Sequence, residues 1–203
     1  KNYFHQSVII LNRLGNHEQI PKLLDSFEEE EEEFYLVLEY IEGDTFQEKV
    51  KYKTLTESEI VSFLCDVLKI LNFVHNNNLI HGNIQPKNLI IRNSDKKIFL
   101  VDFLSIKNNN NSILKKPLNS NSDIYALGRT AIYGLTGKLP SELEDPKTSQ
   151  LVNWHHYCQV DLKLRSILDK MTASEDRYRF VIDILKDLQP LLLINKTLIG
   201  RYQ

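Results

Sequence analysis

The residues able to do chemistry gather in one stretch of this 203-residue chain. It reads His81-Gly82-Asn83-Ile84-Gln85-Pro86-Lys87-Asn88-Leu89-Ile90-Ile91, with Phe99-Leu100-Val101-Asp102-Phe103 following after a turn. Asn and Asp side chains present oxygens, and a hard cation such as Mg²⁺ takes one or two protein oxygens alongside substrate phosphate. A polar loop entering an apolar strand, a turn at Asn93-Ser94-Asp95 and a second strand ending on Asp102 would bring His81, Asn83, Asn88 and Asp102 together at strand ends. The same residues also suit a plain β-hairpin with polar turns.

The elements that must position this stretch lie on both sides of it. Phe4, Val8, Leu11 and Leu14 recur at helical spacing, with Gly15-Asn16 as a stop. Two β-rich runs follow, Ile20 to Phe27 and Phe34 to Tyr40, joined by the acidic tract Glu28 to Glu33. That tract reads as a solvated hairpin tip rather than a metal site. Thr56 and Glu59 form a capping box. It opens a helix with Ile60, Phe63, Leu64, Val67, Leu68, Leu71 and Val74 on one face. His75 ends that helix and reads as a helix-end cap. Ser122 to Gly128 opens another helix, for which Asp123 suits an N-terminal cap. Trp154-His155-His156 lacks a third ligand at metal spacing and reads as packing over helices. Leu162 to Met171 and Val181 to Leu193 complete the helical stretches, the second interrupted by Pro190.

Bulk properties narrow the class. Apolar residues at 42%, charged residues at 26% and a formal net charge of −2 describe an ordinary globular chain with no electrostatic footprint for nucleic acid. Cys65 and Cys158 have no metal spacing and suit a reducing compartment, so a cytoplasmic protein is expected. No signal peptide or apolar run of membrane-spanning length occurs, so no membrane partner is expected of this segment. The chain opens on Lys1 rather than Met, so it is expected to be part of a longer protein.

The central stretch resembles the catalytic and metal loops of protein kinases, where His-Arg-Asp-x-Lys-Pro-x-Asn is followed by Asp-Phe-Gly. His81, Pro86, Asn88, Asp102 and Phe103 match. Asn83 stands where that family has its catalytic Asp, Gln85 where it has Lys, and Leu104 where it has Gly. Leu36 to Gly43 resembles the end of the fifth strand and the hinge. The resemblance implies that the hinge backbone at Glu39 and Ile41 meets adenine, that Leu38 is the gatekeeper, and that Ile90 also lines the nucleotide site. It implies Asn88 and Asp102 as metal ligands, and ATP and Mg²⁺ as cofactors, bound weakly or not at all. Ser122 to Gly128 resembles the F helix of bacterial Ser/Thr kinases, whose Asp hydrogen-bonds the catalytic-loop backbone. A hydrophobic spine would then run through Leu11, Leu23, Phe103 and His81 to Asp123.

Further departures accompany the match. Ser7 falls where the C helix has its Glu, with only neutral Gln6 nearby. The glycine-rich loop and its Lys strand are not among these residues, and no Ala-Pro-Glu closes the segment between Phe103 and Asp123. Arg177, which normally pairs with that Glu, must then find another acid or solvent. The implied fold is α+β and kinase-like, mainly the helical C-lobe with a truncated N-lobe of C helix, fourth strand and fifth strand. Residues 1–43 would be the N-lobe remnant and hinge, and 44–195 the C-lobe. Residues 196–203 would be a tail or a lead-in to a following kinase domain, since Leu198-Ile199-Gly200-Arg201-Tyr202 resembles the start of one.

Retained packing with altered chemistry favours a catalytically impaired, pseudokinase-like module that regulates or scaffolds a protein partner, expected to be an adjoining Ser/Thr kinase domain. Two alternatives stand beside it. One is a fragment of an active ATP-dependent Ser/Thr kinase. The other is a small-molecule phosphotransferase of the aminoglycoside-kinase type, whose loop shares His81-Gly82.

Overall fold

The computed structural model describes residues 2–29, 33–103, 107–108, 121–144 and 154–199. Helix α1 (Asn2–Leu14) leads into the antiparallel pair β1 (Leu23–Glu29) and β2 (Glu33–Leu38). Leu11 and Leu14 are buried, and the Gly15 N–H closes on the Leu11 carbonyl, as the helical spacing and stop signal predict. The first strand starts later than expected: Ile20 is buried ahead of β1 rather than within it. Glu29 pairs with Glu33 across the hairpin, so part of the acidic tract extends the strands.

Strand β3 (Gly43–Thr45) runs directly into the short helix α2 (Phe46–Tyr52), capped by Thr45 and Glu48 in a box that the sequence reading passed over. Helix α3 (Glu57–Asn76) opens on the expected Thr56–Glu59 box. Its burial exceeds one face. Val61, Cys65 and Ile70 are covered along with the expected stripe, because α3 runs through the centre of the domain and is enclosed by its neighbours.

After β4 (Leu79–Ile80) and a 3₁₀ turn at Pro86–Asn88, β5 (Leu89–Arg92) and β6 (Ile98–Leu100) form the expected hairpin, with Leu89 opposite Leu100 and Ile91 opposite Ile98. β3 pairs along the other edge of β5, giving a three-stranded sheet ordered β3-β5-β6. Two further residues, β7 (Lys107–Asn108), pair with β4. The rest of the segment read as a shortened activation loop, 104–120, lies outside the described residues.

Helices α4 (Asn121–Thr136), α5 (Pro140–Leu143), α6 (Leu162–Thr172) and α7 (Val181–Ile199) complete the α+β fold, with α7 packed on α3 and α6 on α4. Pro190 does not interrupt the last helix, which continues through it. Leu188 and Leu191 are buried on either side of it, and that packing offsets the missing backbone hydrogen bond. Residues 200–203, with the end of the lead-in string, lie outside the described residues. Among the described residues no helix is long and apolar enough to cross a membrane.

Trp154 is buried, its indole N–H donates to Asp169, and His155 stacks on its ring and bonds the same carboxylate. These contacts explain Trp154 and His155 as packing, while His156 is exposed. Among the described residues no group of three or more His, Cys, Asp or Glu side chains could hold a metal ion.

Candidate nucleotide and metal site

The site is built on the loop between β4 and β5 and the residues that follow β6. Gly82 has φ +74°, a conformation that lets the loop turn at little steric cost. Its N–H and that of His81 both point at one carboxylate. Asp123 Oδ2 accepts from the His81 N–H at 3.0 Å and Oδ1 from the Gly82 N–H at 2.8 Å. Asp123 is therefore not the cap of α4. It lies inside the first turn, 1% exposed, and anchors the loop. His75 adds a third donor, its Nε2 lying 2.9 Å from Asp123 Oδ2. The expected role of His75 as a helix-end cap is thus corrected, since its ring ties α3 to α4 through that carboxylate.

His81 has no exposed surface. Its Nε2 lies 3.1 Å from the Val101 carbonyl, which can only accept, so Nε2 carries the proton. Nδ1 then accepts the Asn83 N–H at 3.2 Å. The ring is thereby fixed as the neutral tautomer with Nε2–H, and Phe103 packs edge-on against it at 4.6 Å. Burial pushes the His81 pKa down despite the nearby Asp123 and Asp102 charges. In the unfolded chain His81 regains its usual value near 6.5, so on acidification the unfolded state binds a proton that the folded state resists. The His81 contribution to stability is full above that value and is lost as pH falls from it through the depressed folded value. Urea unfolding midpoints should drop over this range, and His81→Gln should flatten the dependence.

Asp102 leaves β6 with φ +65°, an uncommon backbone state for a residue with a side chain, and is held there by amides. Asn83 Nδ2 donates to Asp102 Oδ2 at 2.6 Å, and Asn88 Nδ2 donates to the same oxygen at 3.2 Å. Asn88 Nδ2 also reaches the Asn83 carbonyl at 2.9 Å. Gln85 Nε2 donates to Asn83 Oδ1 at 2.7 Å. Asn83, Gln85, Asn88 and Asp102 therefore form one connected polar cluster. Asn88 commits its NH₂ group, which leaves Oδ1 as the atom it can turn to a cation. That oxygen and the Asp102 carboxylate are ligands of the hard kind Mg²⁺ takes, so these two residues fit such an ion. Asn83 faces the carboxylate with N–H instead.

The expected hinge follows β2. Leu38 ends that strand half-buried, and Ile41 is buried. The Glu39 N–H donates to the Lys22 carbonyl at 2.8 Å, so the group Glu39 can offer a base is its own carbonyl. Ile90 sits half-buried in β5, paired with Thr45 and Phe99. Of the expected spine, Leu11, Phe103, His81 and Asp123 are buried, and Leu23 packs half-buried against the core. Arg177 is half-buried, so part of it still meets solvent, and among the described residues no acid pairs with it. Its guanidinium donates to the Ala173 carbonyl and lies over the Tyr125 ring at 4.5 Å.

Two contacts escaped the sequence reading. The Gln85–Asn83 bond carries no signal in residue type. The His75–Asp123 bond spans 48 positions, and only a polar residue closing an apolar stripe hints at it.

Comparison with known proteins agrees with this geometry. The protein kinase domain family profile matches residues 2–190. Serine/threonine-protein kinase B of Synechocystis sp. is 34% identical over 207 residues, covering 89% of this chain and 36% of that protein. Serine/threonine-protein kinase PknA of Nostoc sp. is 34% identical over 214 residues, covering 92% of this chain and 38% of that protein. The probable serine/threonine-protein kinase YbdM of Bacillus subtilis is 23% identical, covering 91% of this chain and 70% of that protein. The chain thus spans little more than a third of the first two relatives. With the loop anchored on Asp123, the His81–Phe103 contact and the Asn88–Asp102 pair in place, this chain belongs to the protein kinase family, in its bacterial eukaryotic-like Ser/Thr branch.

Proposed function

We propose that this chain is a catalytically impaired kinase domain that works by binding, as a regulatory or scaffolding module beside an active Ser/Thr kinase domain, in the cytoplasm. The observation that carries this reading is the Asn83 side chain. It occupies the position of the family's catalytic acid and donates N–H to Asp102 at 2.6 Å. A neutral amide cannot accept the hydroxyl proton of a substrate, and a positioned general base contributes on the order of 10²- to 10⁴-fold to such reactions. Gln85 adds a second loss, because a neutral amide stands where the family places a cation near the transferring phosphoryl group.

The protein kinase family uses ATP and Mg²⁺. In this chain Asn88 and Asp102 would hold the cation, whose charge would offset that of the phosphates, while Leu38, Glu39, Ile41 and Ile90 would receive the base. A module with this framework can bias a neighbouring kinase if it contacts the neighbour's two states with different free energies.

The alternative of an active Ser/Thr kinase fragment is favoured by one observation, the retained Asn88–Asp102 pair. Nucleotide binding and phosphate transfer to peptide separate the two. Saturable ATP binding without transfer fits the proposal, and transfer restored by Asn83→Asp would move weight to the active-fragment reading. Peptide phosphorylation by the unmodified protein would overturn the proposal.

A further inference from the structure

Asn83 and Gln85 are separate departures in the sequence, and the structure joins them. Gln85 Nε2 donates to Asn83 Oδ1 at 2.7 Å, which turns the Asn83 amide so that Nδ2 meets Asp102 Oδ2 at 2.6 Å. Asn88 brings another N–H to the same oxygen at 3.2 Å. One carboxylate oxygen therefore receives two amide donors at the place where a divalent cation would supply its charge. The residue they hold has φ +65°, a backbone state that persists only when its surroundings fix it.

We infer that the Gln85–Asn83 amide pair stands in for a divalent cation, holding Asp102 and the chain from Val101 to Phe103 in place, so that the order of this site does not depend on Mg²⁺. Asn83 is on this view a positioning residue, and Gln85 sets its orientation without adding charge beside Asp102. The inference deepens the noncatalytic reading and rests on it only in giving Asn83 no part in proton transfer. It also accounts for both departures at once. A carboxylate at position 83 would face Asp102 at the same short separation, and two like charges so close need a shared proton or a bridging cation. An Asn at 83 needs neither.

Amide hydrogen exchange of Ile98 to Phe103 in the intact protein, measured in EDTA and in millimolar Mg²⁺, tests this without relying on activity. The wild type should show protection unchanged to within about twofold, because the amide donors are present in both conditions. Asn83→Asp should exchange about tenfold or more faster in EDTA and recover protection in Mg²⁺, reflecting loss of a charge-assisted hydrogen bond and gain of a like charge. If Asn83→Asp fails to fold in EDTA, Asn83→Ala decides, since it removes the donor without adding charge and should also exchange about tenfold faster there. Overturning results are a wild type that gains more than about tenfold protection from Mg²⁺, or either variant matching wild-type protection in EDTA. Mg²⁺-dependent order without peptide phosphorylation would defeat this inference alone. Peptide phosphorylation with Mg²⁺-independent order would defeat the noncatalytic reading alone.

Discussion

Asp123→Ala should destabilise the fold by about 3–5 kcal/mol, the range for removing one partner of a buried charged network. The carboxylate accepts from the His81 and Gly82 backbone and from the His75 ring, and almost none of it is exposed. Truncation leaves those donors facing a cavity, and each unsatisfied buried group costs roughly 1–3 kcal/mol. Domains of this size hold only about 5–15 kcal/mol in total, so a large part of the stability would go. Asp123→Asn separates acceptor chemistry from shape. It has the same outline but one acceptor oxygen, and its NH₂ would confront an N–H. Urea denaturation should show Asn retaining part of the stability that Ala loses. A loss below about 1 kcal/mol for Asp123→Ala would mean that the loop is held elsewhere.

Gly43→Ala is the second large effect expected, a loss of about 3 kcal/mol from overpacking against backbone that cannot yield. A Cβ at this position would lie 2.2 Å from the Ile91 carbonyl oxygen and 2.9 Å from Arg92 Cα. Those atoms belong to β5, which pairs with β3 on one side and β6 on the other, so relief requires prying the sheet apart. The consequence reaches the site, because β5 begins at Leu89, immediately after Asn88. Hydrogen exchange in β5 and thermal unfolding should both report the loss. Asp44→Ala, at the exposed neighbouring position, should stay within about 0.5 kcal/mol of wild type. A Gly43→Ala protein as stable as that control would show that β3 is dispensable to the sheet.

Much of this architecture was legible from local pattern. The Thr56–Glu59 box, the α3 stripe and the β5–β6 hairpin depend on residues near one another in sequence, and short-range propensity and alternation decide them. Element edges were less legible. Ile20 has strand composition, yet it lies buried ahead of β1, and Pro190 fails to end α7. In both cases burial of apolar surface outweighs local preference.

The residue types at the site were equally plain: Asn83 for an acid, Gln85 for a cation, Asn88 and Asp102 retained. Those identities by themselves determine that the loop lacks a proton acceptor at position 83, because no fold changes the chemistry of an amide. Only the tertiary structure decided what the amide does instead. The Asn83–Asp102 bond joins residues 19 apart, and Asp123 meets its loop across 41 and 42 positions. Such contacts form where separate elements converge, and side-chain hydrogen bonds over that range leave no period or propensity in the chain. The sequence therefore told which groups the loop presents, and the folded geometry told what holds it together.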